Sequence, residues 1–257
     1  MSNTKTLMSL IGAKIQEQKP EEAFLQDLEK TVAKLNPTKP SSTHFKPSSL
    51  NCMRLMYFDK IQAPKDIKVT DYSGVRIPET GTASHESIQH YVSKMKECGI
   101  DCEWVDVEKY VKEHNLDYLV VKNKKEFETH LLDTRYDVSF LCDGIIKYKG
   151  KYYILEIKTE TEMLGMKREN ADEKHRQQSV CYALCLGIND IMWLYEERNY
   201  CIPKTFHTIV TDVEKYELIE KFAIVNQAVE NKVPPEKTKM KRCCNYCSYY
   251  NLCKKYK

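Results

Sequence analysis

Asp143, Glu156 and Lys158 are the residues of this sequence whose types and spacing most clearly could do chemistry. They lie in the run D-V-S-F-L-C-D-G-I-I-K-Y-K-G-K-Y-Y-I-L-E-I-K from Asp137 to Lys158. The run reads as two strands, rich in aliphatic and aromatic residues, that meet at Lys149-Gly150, where glycine supplies the positive φ of a two-residue hairpin turn. A turn there pairs position 143 with position 156, so two carboxylates face each other with Cβ atoms roughly 5 Å apart. Like charges so placed repel unless a cation lies between them. Lys158 shares the face of Glu156, while Ile157 points to the other side. An aspartate followed by Glu-x-Lys on a hairpin is therefore a candidate divalent-metal site with an amine beside it.

A second constellation lies near the end of the chain, C-N-Y-C-S-Y-Y-N-L-C, with Cys244, Cys247 and Cys253. Thiolates at this spacing fit a metal centre, and zinc accepts them as readily as iron does. Cys243 is a rival ligand; the remaining cysteines of the eleven read as apolar filler. Lys237, Lys239, Lys241, Arg242, Lys254, Lys255 and Lys257 surround the ligands, with Tyr246, Tyr249 and Tyr250 interleaved. Such a patch could grip a phosphate backbone and stack the bases of a single strand. The net charge of the whole chain is only +3, so a nucleic-acid surface must be local.

The elements that must position these groups follow from periodicity. Residues 5 to 35 read as two short helices separated by Pro20, and prolines at 37, 40 and 47 mark a linker, so residues 1–47 form a helical appendage that is a candidate docking element for a protein partner. A helix start follows around Cys52 and Arg54, then a polar loop through Pro78. Gly81-Thr82-Ala83-Ser84-His85-Glu86 opens the next helix, which runs to Gly99 and puts His85 in its first turn or two. Trp104–Val107, Tyr118–Val121 and Glu126–Leu132 read as strands before the central hairpin. A helix from about Ala171 to Leu186 carries His175, Gln178 and Tyr182, the last two on one face. Strands at Asp190–Tyr195 and Thr205–Val210 and a helix over Val213–Val229 complete a 48–235 core, which Pro234-Pro235 ends; residues 236–257 form a basic, cysteine-bearing segment. That alternation predicts an α/β fold, a mixed sheet flanked by helices. No secretory leader and no apolar run of about 18 residues is visible, so a cytoplasmic protein with reduced thiols and no membrane contact is expected.

The order of elements, with Asp143 and E156-I-K158 on adjacent strands, resembles the PD-(D/E)XK nuclease superfamily, which implies a restriction-endonuclease-like core. His85 after Gly81, Q178-x-x-x-Y182 preceded by His175, and the set of Cys52, Cys244, Cys247 and Cys253 resemble its RecB-like branch with an iron-sulfur cluster, which includes CRISPR-associated RecB-type exonucleases and phage recombination exonucleases. The likeness covers roughly Ser48 to Cys253. It departs from the family at Leu141-Cys142-Asp143, where many relatives carry a glycine before the aspartate in G-x-x-D form.

The resemblance implies that Asp143, Glu156, His85 and the Ile157 carbonyl hold Mg²⁺ or Mn²⁺, that Lys158 orients the attacking water, and that Gln178 and Tyr182 contact the scissile strand or Lys158. It also implies a [4Fe-4S] cluster on the four cysteines, with Zn²⁺ as the alternative. Closing a loop of about 190 residues with such a clip would restrict the unfolded chain by an amount on the order of 5 kcal/mol. The activity implied is a metal-dependent DNA nuclease, an exonuclease on single-stranded or frayed ends, in recombination, replication or CRISPR adaptation. A non-catalytic nucleic-acid-binding subunit and a structure-specific endonuclease are the competing readings. Oligomeric state is not readable from the residues.

Overall fold

The computed structural model describes residues 19–37, 40–66, 71–161, 164, 167–239, 244, 245 and 247–256. The expected first helix before Pro20 lies outside them, as do Cys243, Tyr246, Lys241, Arg242 and Lys257. Contacts divide the chain into a small unit, Met1–Thr38 with Val69–Ile77, and a larger one, Lys39–Lys68 with Pro78–Lys257. In the small unit, α1 (Pro20–Leu35) starts on a proline at its first turn, with Glu21 and Glu22 facing the positive end of the helix dipole. Phe24, Leu25 and Leu35 remain exposed on it.

Two further helices follow. A 3₁₀ turn at Pro47–Ser49 leads to α2 (Met53–Lys60), with Cys52 at its N-cap position. Helix α3 (Tyr72–Lys94) corrects the sequence reading. It begins nine residues before the expected start at Gly81 and carries Pro78 inside it, so His85 stands well within the helix rather than in its first turns. Glycine, proline and serine in Y-S-G-V-R-I-P-E-T-G read as loop signals, although each can be accommodated in a long helix.

Then come β1 (Cys102–Val105), α4 (Val107–Glu113), β2 (Leu119–Lys124), β3 (Thr129–Asp133), β4 (Val138–Cys142), β5 (Gly144–Tyr148) and β6 (Lys151–Glu160). After these, α5 (Glu173–Leu186), β7 (Asp190–Glu197), β8 (Pro203–Ile209), α6 (Asp212–Asn231) and α7 (Tyr250–Lys254) close the chain. Val107 begins α4 rather than ending a strand, because Asp106 caps that helix by accepting from the Lys109 amide, 3.0 Å.

The main sheet has the order β1-β5-β6-β7-β8, with β6 and β7 parallel and the other pairs antiparallel. This is the mixed, helix-flanked sheet that the alternation of elements predicted. The turn at Lys149-Gly150 has positive φ at both residues, 49° and 78°, and Tyr148 pairs with Lys151, so the expected register holds. The upstream half of the run differs from the reading. Val138–Cys142 is not part of that hairpin but belongs to a separate antiparallel sheet, β2-β3-β4. Asp143 is the single residue between the two sheets.

Alternation along β6 divides its two faces between two apolar clusters. Leu155 and Ile157 pack with Ile88 of α3, while Ile154 belongs to the cluster formed by α2, α5 and α6. Glu156 and Lys158 share the face of Ile154, under α5. Asp172 caps α5 by accepting from the Lys174 amide, 2.9 Å, and Gly187 ends the helix in the left-handed region, φ 71°. A capping box between Thr211 and Glu214 starts α6.

The chain beyond Pro235, expected to leave the globular part, is anchored in the larger unit. Tyr249 is fully buried; its hydroxyl donates to Asp59, 2.7 Å, and lies 2.6 Å from Ser41 Oγ. Arg54 donates to the carbonyls of Pro235, 2.6 Å, and Tyr256, 3.1 Å.

Candidate active site

Asp143 is held where β4 hands the chain over to β5. Its Oδ2 accepts from the Ile157 amide, 2.9 Å, so the carboxylate takes over the ladder position that a strand carbonyl would otherwise fill. Gln89 of α3 donates its Nε2–H to the Asp143 carbonyl, 2.7 Å, and one turn earlier on the same helix His85 places Nδ1 3.9 Å from Asp143 Oδ1. A glycine does stand at this motif, after the aspartate rather than before it. A Cβ at Gly144 would lie 2.8 Å from Trp104 Cζ2, so the close approach of β1 to this bend requires glycine.

Glu156 is fully buried, and among the described residues its Oε2 makes no hydrogen bond. Lys158 forms an ion pair with Oε1, which leaves Oε2 as the oxygen without a partner among the described residues. A buried carboxylate left in this state is costly, on the order of several kcal/mol, unless it is neutralised or paired. Burial therefore pushes the Glu156 carboxyl up to about 7; Lys158 pulls it down and Asp143 pushes it further up. Burial pulls the Lys158 ammonium down, but Glu156 and Asp143 more than reverse this, leaving its pKa raised. Burial, assisted by Lys158, lowers the His85 imidazole, which keeps it neutral with a free lone pair at neutral pH.

Helix α5 covers this face. Gln178 donates to the Tyr182 hydroxyl, 2.5 Å. Tyr182 is buried, and burial followed by the two carboxylates raises its pKa well above the ordinary phenol value. Its place is thus beside Glu156, not on a surface open to a DNA strand, while Gln178 stays partly exposed. The structure so brings Asp143, Glu156, Lys158, His85, Ile157, Gln178 and Tyr182 into one neighbourhood.

Sequence reasoning missed Gln89 and Tyr195. Gln89 sits four residues after His85, a helical spacing that could have flagged it. Tyr195 is the Cα partner of Lys158 across the parallel β6–β7 pair, a register that no local pattern reveals. Ser84, which donates to Glu196, 2.5 Å, and Glu128, whose carboxyl is raised by burial and by Asp143, extend the polar surroundings.

The four cysteines also come together. Cys52, Cys244, Cys247 and Cys253 line one small cavity with Arg54, Leu55 and Phe58. Two donors point at their sulfurs: the Tyr249 amide to Cys247 Sγ, 3.4 Å, and Arg54 Nη1 to Cys253 Sγ, 3.7 Å. Burial raises the Cys52 and Cys247 thiols, with neighbouring cysteines adding to the effect. Among the described residues, no group of three or more His, Cys, Asp or Glu side chains is already arranged to hold a metal ion, at this cavity or around Glu156. Of the tail aromatics, buried Tyr249 is unavailable for base stacking, whereas Tyr250 is exposed with Lys254 Nζ 4.0 Å above its ring.

No protein-family model and no curated protein matches the sequence. Among solved structures, the chain is similar to the crystal structure of SSO0001, with a TM-score of 0.46 at 12% identity over 92% of this chain and 97% of that one. It is also similar to LHK-Exo in complex with dAMP, with a TM-score of 0.45 at 12% identity over 74% and 89%. The alkaline exonuclease LHK-Exo from Laribacter hongkongensis, in a second crystal structure, gives 0.45 at 11% identity over the same shares. Among the described residues no helix is long and apolar enough to cross a membrane.

Proposed function

We propose that this chain is a metal-dependent deoxyribonuclease of the RecB-like PD-(D/E)XK type, an exonuclease acting on single-stranded or frayed DNA ends. The observation that carries the reading is the Glu156 carboxylate, fully buried, with one oxygen on Lys158, the other without a hydrogen bond among the described residues, and Asp143 beside it. An arrangement so costly in the folded chain fits a site built to receive a cation. Asp143, Glu156, the neutral imidazole of His85 and the Ile157 carbonyl would hold Mg²⁺ or Mn²⁺, a donor set of oxygens with one nitrogen that suits both ions. When bound, the ion would lower the pKa of a coordinated water and neutralise charge that gathers on the phosphate.

The chain's own groups have defined parts. Lys158, held cationic by its carboxylate neighbours, orients the water and offsets developing negative charge on a phosphate oxygen. Tyr182 and Gln178 hold the roof of the site over Glu156 and exclude bulk water, which strengthens every charge interaction beneath them. Gln89 fixes the bend that aims Asp143.

Cys52, Cys244, Cys247 and Cys253 would carry a [4Fe-4S] cluster, with Zn²⁺ as the alternative. Donors directed at two of the four sulfurs fit a thiolate-bound centre of either kind. The role proposed for it is structural, since it would join the N-terminus of α2 to the chain around α7. Exposed Lys237, Lys239, Lys254 and Lys255 offer a basic surface near it for a phosphate backbone.

Digestion of end-labelled linear and circular DNA with Mn²⁺, with and without EDTA, tests the reading. Loss of label from linear DNA alone supports an exonuclease; cut circles indicate an endonuclease; binding without cleavage indicates a nucleic-acid-binding subunit. Glu156→Ala and Lys158→Ala should each abolish cleavage while leaving the circular-dichroism spectrum unchanged.

A further inference from the structure

We propose that His175 donates a hydrogen bond from Nε2 to the phosphate of the nucleic-acid substrate, its tautomer fixed by a relay from the Asp172 amide through the Tyr195 hydroxyl. The inference rests on the nuclease reading above and adds one substrate-contacting residue, His175, and one positioning residue, Tyr195.

The relay is read from hydrogen-bond bookkeeping. The Asp172 N–H donates to Tyr195 Oη, 3.1 Å, and Tyr195 Oη lies 3.0 Å from His175 Nδ1. A hydroxyl that accepts an amide proton keeps its own proton to give, and Nδ1 is the acceptor in reach. An accepting Nδ1 places the ring proton on Nε2, which makes no hydrogen bond among the described residues. A histidine serving only the core would be expected to use both nitrogens.

Tyr195 is itself held rigidly. The His175 ring stacks on it with centroids 5.8 Å apart and planes 29° apart, and the Arg168 guanidinium lies 4.4 Å over the same ring. Arg168 is in turn clamped by both oxygens of Glu160. The relay also lies beside the proposed chemistry. Tyr195 is the cross-strand partner of Lys158, and His175 is one turn before Gln178 on α5. Burial, assisted by Lys158, holds the His175 imidazole at about 4, so near neutral pH it is an uncharged donor next to a charged one.

Two measurements decide the point. The first is ¹⁵N NMR of the histidine rings in the full-length protein near pH 7, without metal or DNA. It should show His175 in the Nε2–H form in the wild type and a tautomer mixture in Tyr195→Phe, which keeps the ring and removes the relay. An Nδ1–H form in the wild type overturns the proposal, whatever the activity.

The second is the single-turnover rate on a 5′-labelled single-stranded oligonucleotide with Mn²⁺. His175→Ala should slow it about 10²-fold, the usual loss for one donor to developing charge. His175→Gln, which returns an N–H near Nε2, should recover about tenfold of that loss, and Tyr195→Phe should fall between, with oligonucleotide affinity unchanged. A His175→Ala rate within about threefold of wild type overturns the inference alone, provided that Glu156→Ala is inactive. An active Glu156→Ala variant overturns the nuclease reading and this inference with it.

Discussion

Replacing Glu156 by glutamine should make the metal-free protein more stable while removing its response to divalent ions. Glu156 is raised from an ordinary 4.5 to about 7 by burial and by Asp143, against the pull of Lys158. A carboxyl with a raised folded-state pKa favours the fold when protonated and costs stability once ionised. The cost is absent below the unfolded pKa, grows as pH rises through the window between 4.5 and about 7, and is constant above it. At about 1.4 kcal/mol for each pH unit, the full window amounts to roughly 3 kcal/mol. Glutamine mimics the protonated acid at every pH. Above about pH 7.5 the variant should therefore melt roughly 5–10 °C higher than wild type, the two curves converging towards pH 4.5. Thermal melts across pH, each with and without Mn²⁺, read both halves of the claim. A variant that melts lower than wild type near pH 8, or that Mn²⁺ stabilises as much as it does wild type, refutes the reasoning.

Three more predictions follow from the same geometry. Apparent Mn²⁺ affinity, measured by isothermal titration calorimetry in buffers of different ionisation enthalpy, should rise about tenfold between roughly pH 6 and pH 8 with proton release, because Glu156 must ionise to bind; a flat profile contradicts its role as a ligand. Lys158→Ala should lower the single-turnover cleavage rate by at least about 10²-fold yet keep Mn²⁺ binding within a few-fold, since the lysine serves charge on the phosphate rather than the ion; loss of both in parallel assigns it to the ion site instead. Tyr249→Phe should cost about 1–3 kcal/mol in urea unfolding, because Asp59 loses its buried donor; a neutral effect shows that the tail is not anchored there.

Much of the site was legible because it is local. Lys149-Gly150 can hardly form anything but a tight turn in this context, and the turn alone sets which residues oppose one another along β5 and β6. The cysteine spacing was equally local, and the fold brings Cys52 to the other three although nothing near it in sequence indicates that. The errors came where one residue or a long-range pairing decides. Val138–Cys142 and Gly144–Tyr148 carry the same apolar character, and only the bend at Asp143 assigns them to different sheets. The first turns of α3 contain the glycine and proline that elsewhere mark loops, which hides its true start from the sequence. Tyr195 joins the site through a parallel strand register that leaves no mark in composition or spacing, and Gln89 through a contact to a main-chain carbonyl that only its helical spacing from His85 hints at.

Crystals soaked in MnCl₂ and measured at the manganese absorption edge test the central claim most directly. The account predicts an anomalous peak within bonding distance of the Asp143 and Glu156 carboxylates and the His85 ring, absent from Glu156→Gln crystals soaked alike. No peak there at saturating Mn²⁺, or a peak unchanged in that variant, would contradict it.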